Sequence, residues 1–252
     1  MNIAIAQMSM AWTTAENTQT ILKYLRIASA HQADICVFPE LAITGFHRRI
    51  REVGTPEIVA PALDAVRDAC AKHSIAAVIG TPIFRDSGAV VNAVEYINRT
   101  GNTVGYVEKI GITPAEATFL EAGNSRPILQ FEGLRSTAII CREALDREQL
   151  YSELAPDTID VIFWPGIMRP DPERPDRAEH HIDDACALAA HTRAYVVQSN
   201  WPDSLNYPEE SAEQGHSVVI SPEAEILFRL PKAAAGVGFF EYGKTTLRWI
   251  GS

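Results

Sequence analysis

Residues 2–38 read NIAIAQMSMAWTTAENTQTILKYLRIASAHQADICVF, and the change of periodicity inside this stretch decides how the chain is layered. Asn2 to Gln7 alternates small and apolar residues as a buried strand does. A T-x-x-E capping box at Thr13 to Glu16 then opens a helical stretch toward Gln32. Asp34 to Phe38 is a short apolar run that Pro39 ends. Thr55-Pro56-Glu57 starts a second helix through Lys72, with Val59, Leu63, Val66 and Ala69/Cys70 on one face. Strand, helix, strand, helix in this order predicts a sheet with helices on its outside.

From Ile75 to Lys109 the pattern changes to strand-like runs at Ile75 to Thr81, Ala89 to Asn98 and Thr103 to Lys109. The polar segments Arg85 to Gly88 and Asn98 to Asn102 between them read as turns, so this part is a meander. After a loop rich in Pro and Gly, Leu134 to Ile140 is a β-rich run that delivers Cys141 to a strand-to-helix turn, with a helix from Leu145 to Leu154. A further set follows: Ile159 to Trp164 as strand, Pro165 to Arg177 as a proline-heavy loop, and Glu179 to Thr192 as helix. Strands at Tyr195 to Ser199, Ser217 to Ile220, Ile226 to Arg229 and Val237 to Glu241 complete a two-sheet sandwich covered by helices on both outer faces. With no repeat of fixed period and no long linker, all 252 residues are expected to form one domain.

The charge balance narrows the function. A formal charge of −10, without a lysine- or arginine-rich stripe, lacks the footprint of a nucleic-acid or anionic-membrane binder. The opening MNIAIAQMSMAW has no basic flank and soon turns polar, which argues against a signal peptide or membrane anchor and for a cytoplasmic protein. Four cysteines, Cys36, Cys70, Cys141 and Cys186, lie far apart without a C-x-x-C pair, as reduced thiols do. No phosphate- or dinucleotide-binding glycine motif is present. A small molecule is the expected partner.

Three residues stand out by position. Glu40 directly follows an apolar run and Pro39, Lys109 ends a second run, and Cys141 ends a third. Strand ends are where side chains enter a pocket. Singly, each reads as a surface Glu, a solvated Lys and a Cys packed as a small hydrophobe. Together they divide a chemical task. A thiol needs a base or a cation to become a thiolate, and an acyl carbon under attack needs positive charge beside its oxygen.

At this point the sequence resembles the nitrilase, or carbon–nitrogen hydrolase, superfamily over nearly its whole length. The blocks are Ala4-Ile5-Ala6-Gln7, Phe38-Pro39-Glu40-Leu41-Ala42-Ile43-Thr44-Gly45-Phe46 and Tyr106-Val107-Glu108-Lys109. They continue with Pro114-Ala115-Glu116, Phe119 and Gly123, Ile140-Cys141-Arg142-Glu143 with Glu148, and Gly215-His216-Ser217 with Pro222. The resemblance implies a four-layer αββα sandwich and a Glu-Lys-Cys triad that maps onto Glu40, Lys109 and Cys141, with Glu116 as the family's second glutamate. It also implies hydrolysis of a small amide through a cysteine thioester without a cofactor, and a homodimer or larger even assembly. Pairing would run through the helices after Cys141 and Trp164, where Leu145, Leu150, Leu154, Ala185, Leu188 and Ala189 supply apolar surface.

This chain also departs from the family pattern. Gly111 stands where a His is common, Arg142 where an aromatic often follows the cysteine, Asp146-Arg147-Glu148 where Phe-Pro-Glu is usual, and Ala187 to Thr192 where Ala-Arg-Ala-Ile-Glu-Asn is usual. These changes bear on substrate. An amidase is the first reading, with an N-carbamoyl hydrolase or a nitrilase as alternatives that use the same triad. A catalytically silent binding relative would have no chemical need for all four residues.

Arg142 and Arg169 follow the two strand ends nearest the nucleophile. Each binds a substrate carboxylate bidentately or is an ordinary ion-paired arginine, and both readings stand. Pro165, Gly166 and His180 complete the candidate substrate-binding residues, His180-His181 aligning with a family His-Trp pair near the pocket. Glu179, His180, His181, Asp183 and Asp184 also form a dense group of possible metal ligands. The H-E-x-x-H order is absent, however, and helix starts favour acidic residues for the dipole, so no metal is expected.

Overall fold

The opening strand–helix–strand reading is realised as β1 (Asn2–Gln7), α1 (Thr14–Ala30) and β2 (Ile35–Val37). The computed structural model describes residues 1–168 and 177–251, apart from the side chains at positions 177–180, 210 and 213. Thr13 caps α1 by accepting the Glu16 N–H at 3.3 Å. Its hydroxyl donates to Glu16 Oε2 at 2.6 Å, so the glutamate closes the box on the side chain rather than on the backbone. A one-turn helix α2 (Ile50–Val53), not foreseen, precedes α3 (Pro56–His73).

The meander follows as β3 (Ala76–Phe84), β4 (Val90–Ile97) and β5 (Thr103–Glu108). Then come β6 (Leu129–Phe131), β7 (Leu134–Ala138), α4 (Arg147–Glu153), β8 (Val161–Gly166), α5 (Arg177–Thr192) and β9 (Tyr195–Asn200). The chain ends with β10 (Val218–Ile220), β11 (Ile226–Arg229), β12 (Gly236–Glu241) and β13 (Leu247–Gly251). Two short edge strands, β6 and β13, went unread because three to five residues of mixed polarity carry too little alternation to register.

Seven strands form one sheet in the order β13-β12-β1-β2-β3-β4-β5, and six form the other in the order β11-β10-β9-β8-β7-β6. Each has three parallel strands at its centre, β1-β2-β3 and β7-β8-β9, and antiparallel strands outside. Such central strands are buried on both faces and therefore read as nearly continuous apolar runs. In β1, Ile3 and Ile5 point between the sheets toward Val161, Val197 and Val219, while Ala4 and Ala6 face outward. Their small side chains let α1 and α3 close on the outer face through Ile21, Leu25, Leu63 and Val66. On the opposite outer face Leu150 and Leu154 from the α4 segment and Ala185, Leu188 and Ala189 of α5 cover Ile162, Trp164 and Val196. Three apolar layers between four structural layers make the αββα sandwich.

That packing changes the basis of the expected assembly. Leu150, Leu154, Ala185, Leu188 and Ala189 are at most 1% exposed and belong to the chain's own core, leaving only Leu145, at 40%, facing outward. Among the described residues no helix is long and apolar enough to cross a membrane.

Candidate active site

Glu40 reaches the site because the chain leaves the first sheet where β2 ends. Phe38 N–H still donates to Val78 O at 2.9 Å, but Pro39 has no N–H to continue the ladder, and Leu41 turns the chain with φ 50°. The turn is seated on Gly80 of β3. A Cβ there would lie 2.3 Å from Leu41 N and 2.4 Å from Pro39 O, so only glycine permits the approach. From the other side Trp201, fully buried, donates its Nε1–H to Glu40 O at 2.8 Å. Gly80→Ala is expected to push the Glu40 turn outward, lowering turnover at least tenfold and stability by about 1–3 kcal/mol. Steady-state rates and urea unfolding of the variant check both; wild-type values would mean that the turn can shift without moving Glu40.

Asn92 joins this turn to the next strand end. Its side chain donates to Glu40 Oε1 at 2.8 Å, and its backbone carbonyl accepts the Lys109 N–H, also at 2.8 Å. Lys109 is 1% exposed, with Nζ 2.7 Å from Glu40 Oε1 and 2.5 Å from Glu116 Oε1. Glu116 opens a short 3-10 turn, and its Oε2 accepts the Thr113 N–H at 2.8 Å. Burial pulls the Lys109 ammonium toward neutrality, but the charges of Glu40, Cys141 and Glu116 outweigh it and hold its pKa above the ordinary value.

Cys141 follows β7 as the first residue of a 3-10 turn and sits in the left-handed region at φ 55°. A non-glycine residue held there costs roughly 1 kcal/mol, which fixes where the side chain points. Trp164 Nε1–H donates to Cys141 O at 2.9 Å, while the thiol faces Ile167 O at 4.0 Å. Burial pushes the thiol pKa up, the Glu40 charge pushes it further, and Lys109 opposes both. Burial also raises Glu40, opposed by Lys109 and by hydrogen bonding with the Cys141 thiol. The balance holds the thiol above its ordinary value. Glu40 thus touches both the Lys109 ammonium and the Cys141 thiol, and the three form one electrostatically linked group able to share a proton.

A second buried charge holds the framework. Glu143 Oε1 accepts the N–H groups of Ile110 at 2.8 Å and Gly111 at 3.0 Å, and its Oε2 accepts that of Ile140 at 2.6 Å. It thus ties the segment after Lys109 to the residue before Cys141. Arg126 neutralises it from 2.9 Å and donates to Ala138 O at 2.6 Å. The Arg126 guanidinium holds the Glu143 carboxyl below its ordinary value against the upward push of burial. Its stabilising contribution is complete above the usual carboxylate range and is lost as pH falls through the lowered value.

Among the expected residues, Glu40, Lys109, Glu116 and Cys141 meet. Pro165 and Gly166, read as loop, are instead the last two residues of β8. Pro165 is tolerated in a central strand because β7 has ended at Ala138, so nothing on that side needs its missing N–H. Gly166 lies beside Cys141, its Cβ direction 3.4 Å from Cys141 Cα. Arg142 takes the ion-paired reading, with Nη1 and Nη2 on the two Asp146 oxygens at 3.1 and 2.8 Å. A Cβ at Gly111 would lie 2.2 Å from Asp146 Oδ2 and 3.0 Å from Arg142 Nη1. Three departures from the family pattern, Gly111, Arg142 and Asp146, are therefore one packed unit. Arg169 and the side chains of Glu179 and His180 lie outside the described residues. Asp184 is ion-paired with Arg147, and among the described residues no group of three or more His, Cys, Asp or Glu could hold a metal.

Asn92, Glu143, Arg126, Gly80 and Trp201 were missed as site residues. Asn92 had a signal, a lone amide inside the apolar run Val90 to Val94. The others act through contacts that no local pattern reports.

The sequence profile of the family described as carbon-nitrogen hydrolase matches residues 2–242. No curated protein sequence matches the chain. Among solved structures, an amidase from Nesterenkonia sp. is similar with a TM-score of 0.80 at 19% identity, covering 95% of this chain and 89% of that one. A mutant of the Nesterenkonia sp. AN1 amidase, described as showing Michael addition of acrylamide at its active-site cysteine, gives 0.81 at 18%, covering 96% and 92%. Another mutant of that amidase, described as from the nitrilase superfamily, gives 0.80 at 18%, covering 95% and 89%. At such identities the likeness is one of fold. The family match spans nearly the whole chain, and the chain belongs to the carbon–nitrogen hydrolase family.

Proposed function

We propose that the protein is an amidase that hydrolyses a small amide through a thioester on Cys141. The observation that carries this reading is the buried contact of Lys109 Nζ with Glu40 and Glu116, at 2.7 and 2.5 Å, with the Cys141 thiol hydrogen-bonded to Glu40. Glu40 takes the thiol proton as sulfur attacks the amide carbon, and the Lys109 ammonium with the backbone N–H of Arg142 holds the oxygen that becomes negative. Glu40 returns the proton to the departing nitrogen, the C–N bond breaks, and ammonia or an amine leaves. Water then gives a proton to Glu40 and its oxygen to the thioester carbon, releasing the carboxylic acid as the proton returns to sulfur. Glu116 holds Lys109 as a second carboxylate beside Glu40.

Ammonia release from short amides, ω-amides, N-carbamoyl amino acids and nitriles tests the substrate class. Amides are expected to turn over fastest, and turnover of carbamoyl compounds or nitriles alone would replace this reading. Acid-quenched turnover should leave an acyl mass on the Cys141 peptide, whereas an adduct elsewhere would reject the nucleophile. All four cysteines are free thiols, which supports a reducing, cytoplasmic setting.

The charge arrangement also sets a pH profile. Attack needs Glu40 ionised, and burial holds its pKa above the ordinary 4.5, so kcat/KM should fall as pH drops through an apparent value above 4.5. Lys109 keeps its proton past the ordinary lysine range, so it adds no alkaline limb near neutrality. A profile whose acid limb lies at or below the ordinary glutamate value would contradict Glu40 as base.

A further inference from the structure

A cavity of about 470 Å³ lies between the Ile50 to Pro56 segment, the turn end of the β3–β4 hairpin, and Phe119 and Leu120. That volume is in the range of small-molecule sites, and so is the mainly apolar lining. None of Glu40, Lys109, Glu116 and Cys141 lines it. Its charge is the reverse of the chain's. The protein has 32 acidic and 22 basic residues, yet the lining holds two arginines, Arg51 and Arg85, and no acid. Arg51 donates Nη2–H to Thr118 O at 2.6 Å and packs over the Phe119 ring at 5.6 Å, and no described carboxylate forms an ion pair with it. Arg85 is paired with Glu108 at 2.7 Å.

We propose that this cavity is a second small-molecule site, taking an amphipathic carboxylate with its apolar body against Pro82, Phe84, Val90 and Phe119 and its carboxylate on Arg51. A guanidinium held by one carbonyl keeps further N–H donors for a planar anion, and an apolar wall beside it selects a ligand with one charged end. The site is separate from the reacting atoms but adjoins their supports. Pro82 pairs across the hairpin with Asn92, which binds Glu40. Arg51 holds the carbonyl two residues beyond Glu116, and Arg85 holds Glu108, next to Lys109.

Titrating the full chain with 2-naphthoate, followed by the probe's fluorescence, tests the assignment. Wild type should bind it, Arg51→Ala should weaken binding about tenfold by removing a charge-assisted contact, and Val90→Trp should abolish it by filling the cavity. Alkylating Cys141 with iodoacetamide, verified on its peptide, should leave the affinity unchanged. No binding to wild type, equal binding by both variants, or loss of binding on Cys141 alkylation would each overturn the proposal, the last by placing the probe in the catalytic pocket. Arg51 is exposed, so that variant tests the idea even where Val90→Trp fails to fold.

Discussion

Cys141→Ala is expected to lower turnover by more than about 10⁴-fold while leaving the fold intact, because in the proposed mechanism the lost atom carries the bond-making step and nothing replaces it. The thiol contributes little to packing. Its polar neighbours are Glu40 and Ile167 O, the latter at 4.0 Å, and the structural tie of this residue runs through its backbone carbonyl to Trp164. Alanine suffers the left-handed φ of 55° no more than cysteine does. The melting temperature should accordingly stay within about 2 °C of wild type. Cys70→Ala supplies the contrast, since Cys70 is on the buried face of α3 and burial raises its thiol to about 12. That variant should lose stability and keep activity. The reverse pattern, turnover in Cys141→Ala and none in folded Cys70→Ala, would remove Cys141 from the mechanism.

Lys109→Arg should be nearly as damaging as Lys109→Ala, each lowering kcat at least about 10²-fold, the scale of losing an oxyanion donor. The ammonium occupies a space closed by two carboxylates at 2.7 and 2.5 Å and is 1% exposed, so a wide planar guanidinium has no room to reproduce its contacts. Alanine leaves Glu40 and Glu116 buried without their cation, which costs roughly 3–5 kcal/mol and forces a proton onto the pair. The acid limb of kcat/KM should therefore move upward in Lys109→Ala beyond its wild-type position. Rates per folded molecule, with the pH profile, separate this from simple unfolding. An arginine variant within a few-fold of wild type would show that Lys109 supplies only diffuse charge.

The reading of residues 2–38 survived because β1, α1 and β2 are each decided by local periodicity, and burial on both sheet faces makes the strand runs apolar without interruption. Pro39 and the residues around Cys141 marked strand ends for equally local reasons. Glu40, Lys109 and Cys141 are thus visible as candidates, and the family resemblance gathers them into a group and adds Glu116. Pro165 was misread as loop because a proline normally breaks a central strand, and the early end of β7 that excuses it lies far away in sequence.

The alternation of strands and helices, the strand ends at which Glu40, Lys109 and Cys141 stand, and the lack of a lysine- or arginine-rich run are all legible in the sequence. These depend on short-range patterns and composition. Tertiary structure alone decided that Gly80 must be bare because the Glu40 turn rests on it, and that Glu143 binds both the Lys109 segment and the Cys141 turn. It also decided that Gly111, Arg142 and Asp146 share one volume, and that the leucines and alanines of the α4 segment and α5 belong to the core. The reason is common to all of these. Each involves at least one partner some thirty or more positions away that the sandwich brings within a few ångströms, such as Gly80 with the Glu40 turn, Glu143 with Ile110 and Gly111 with Asp146.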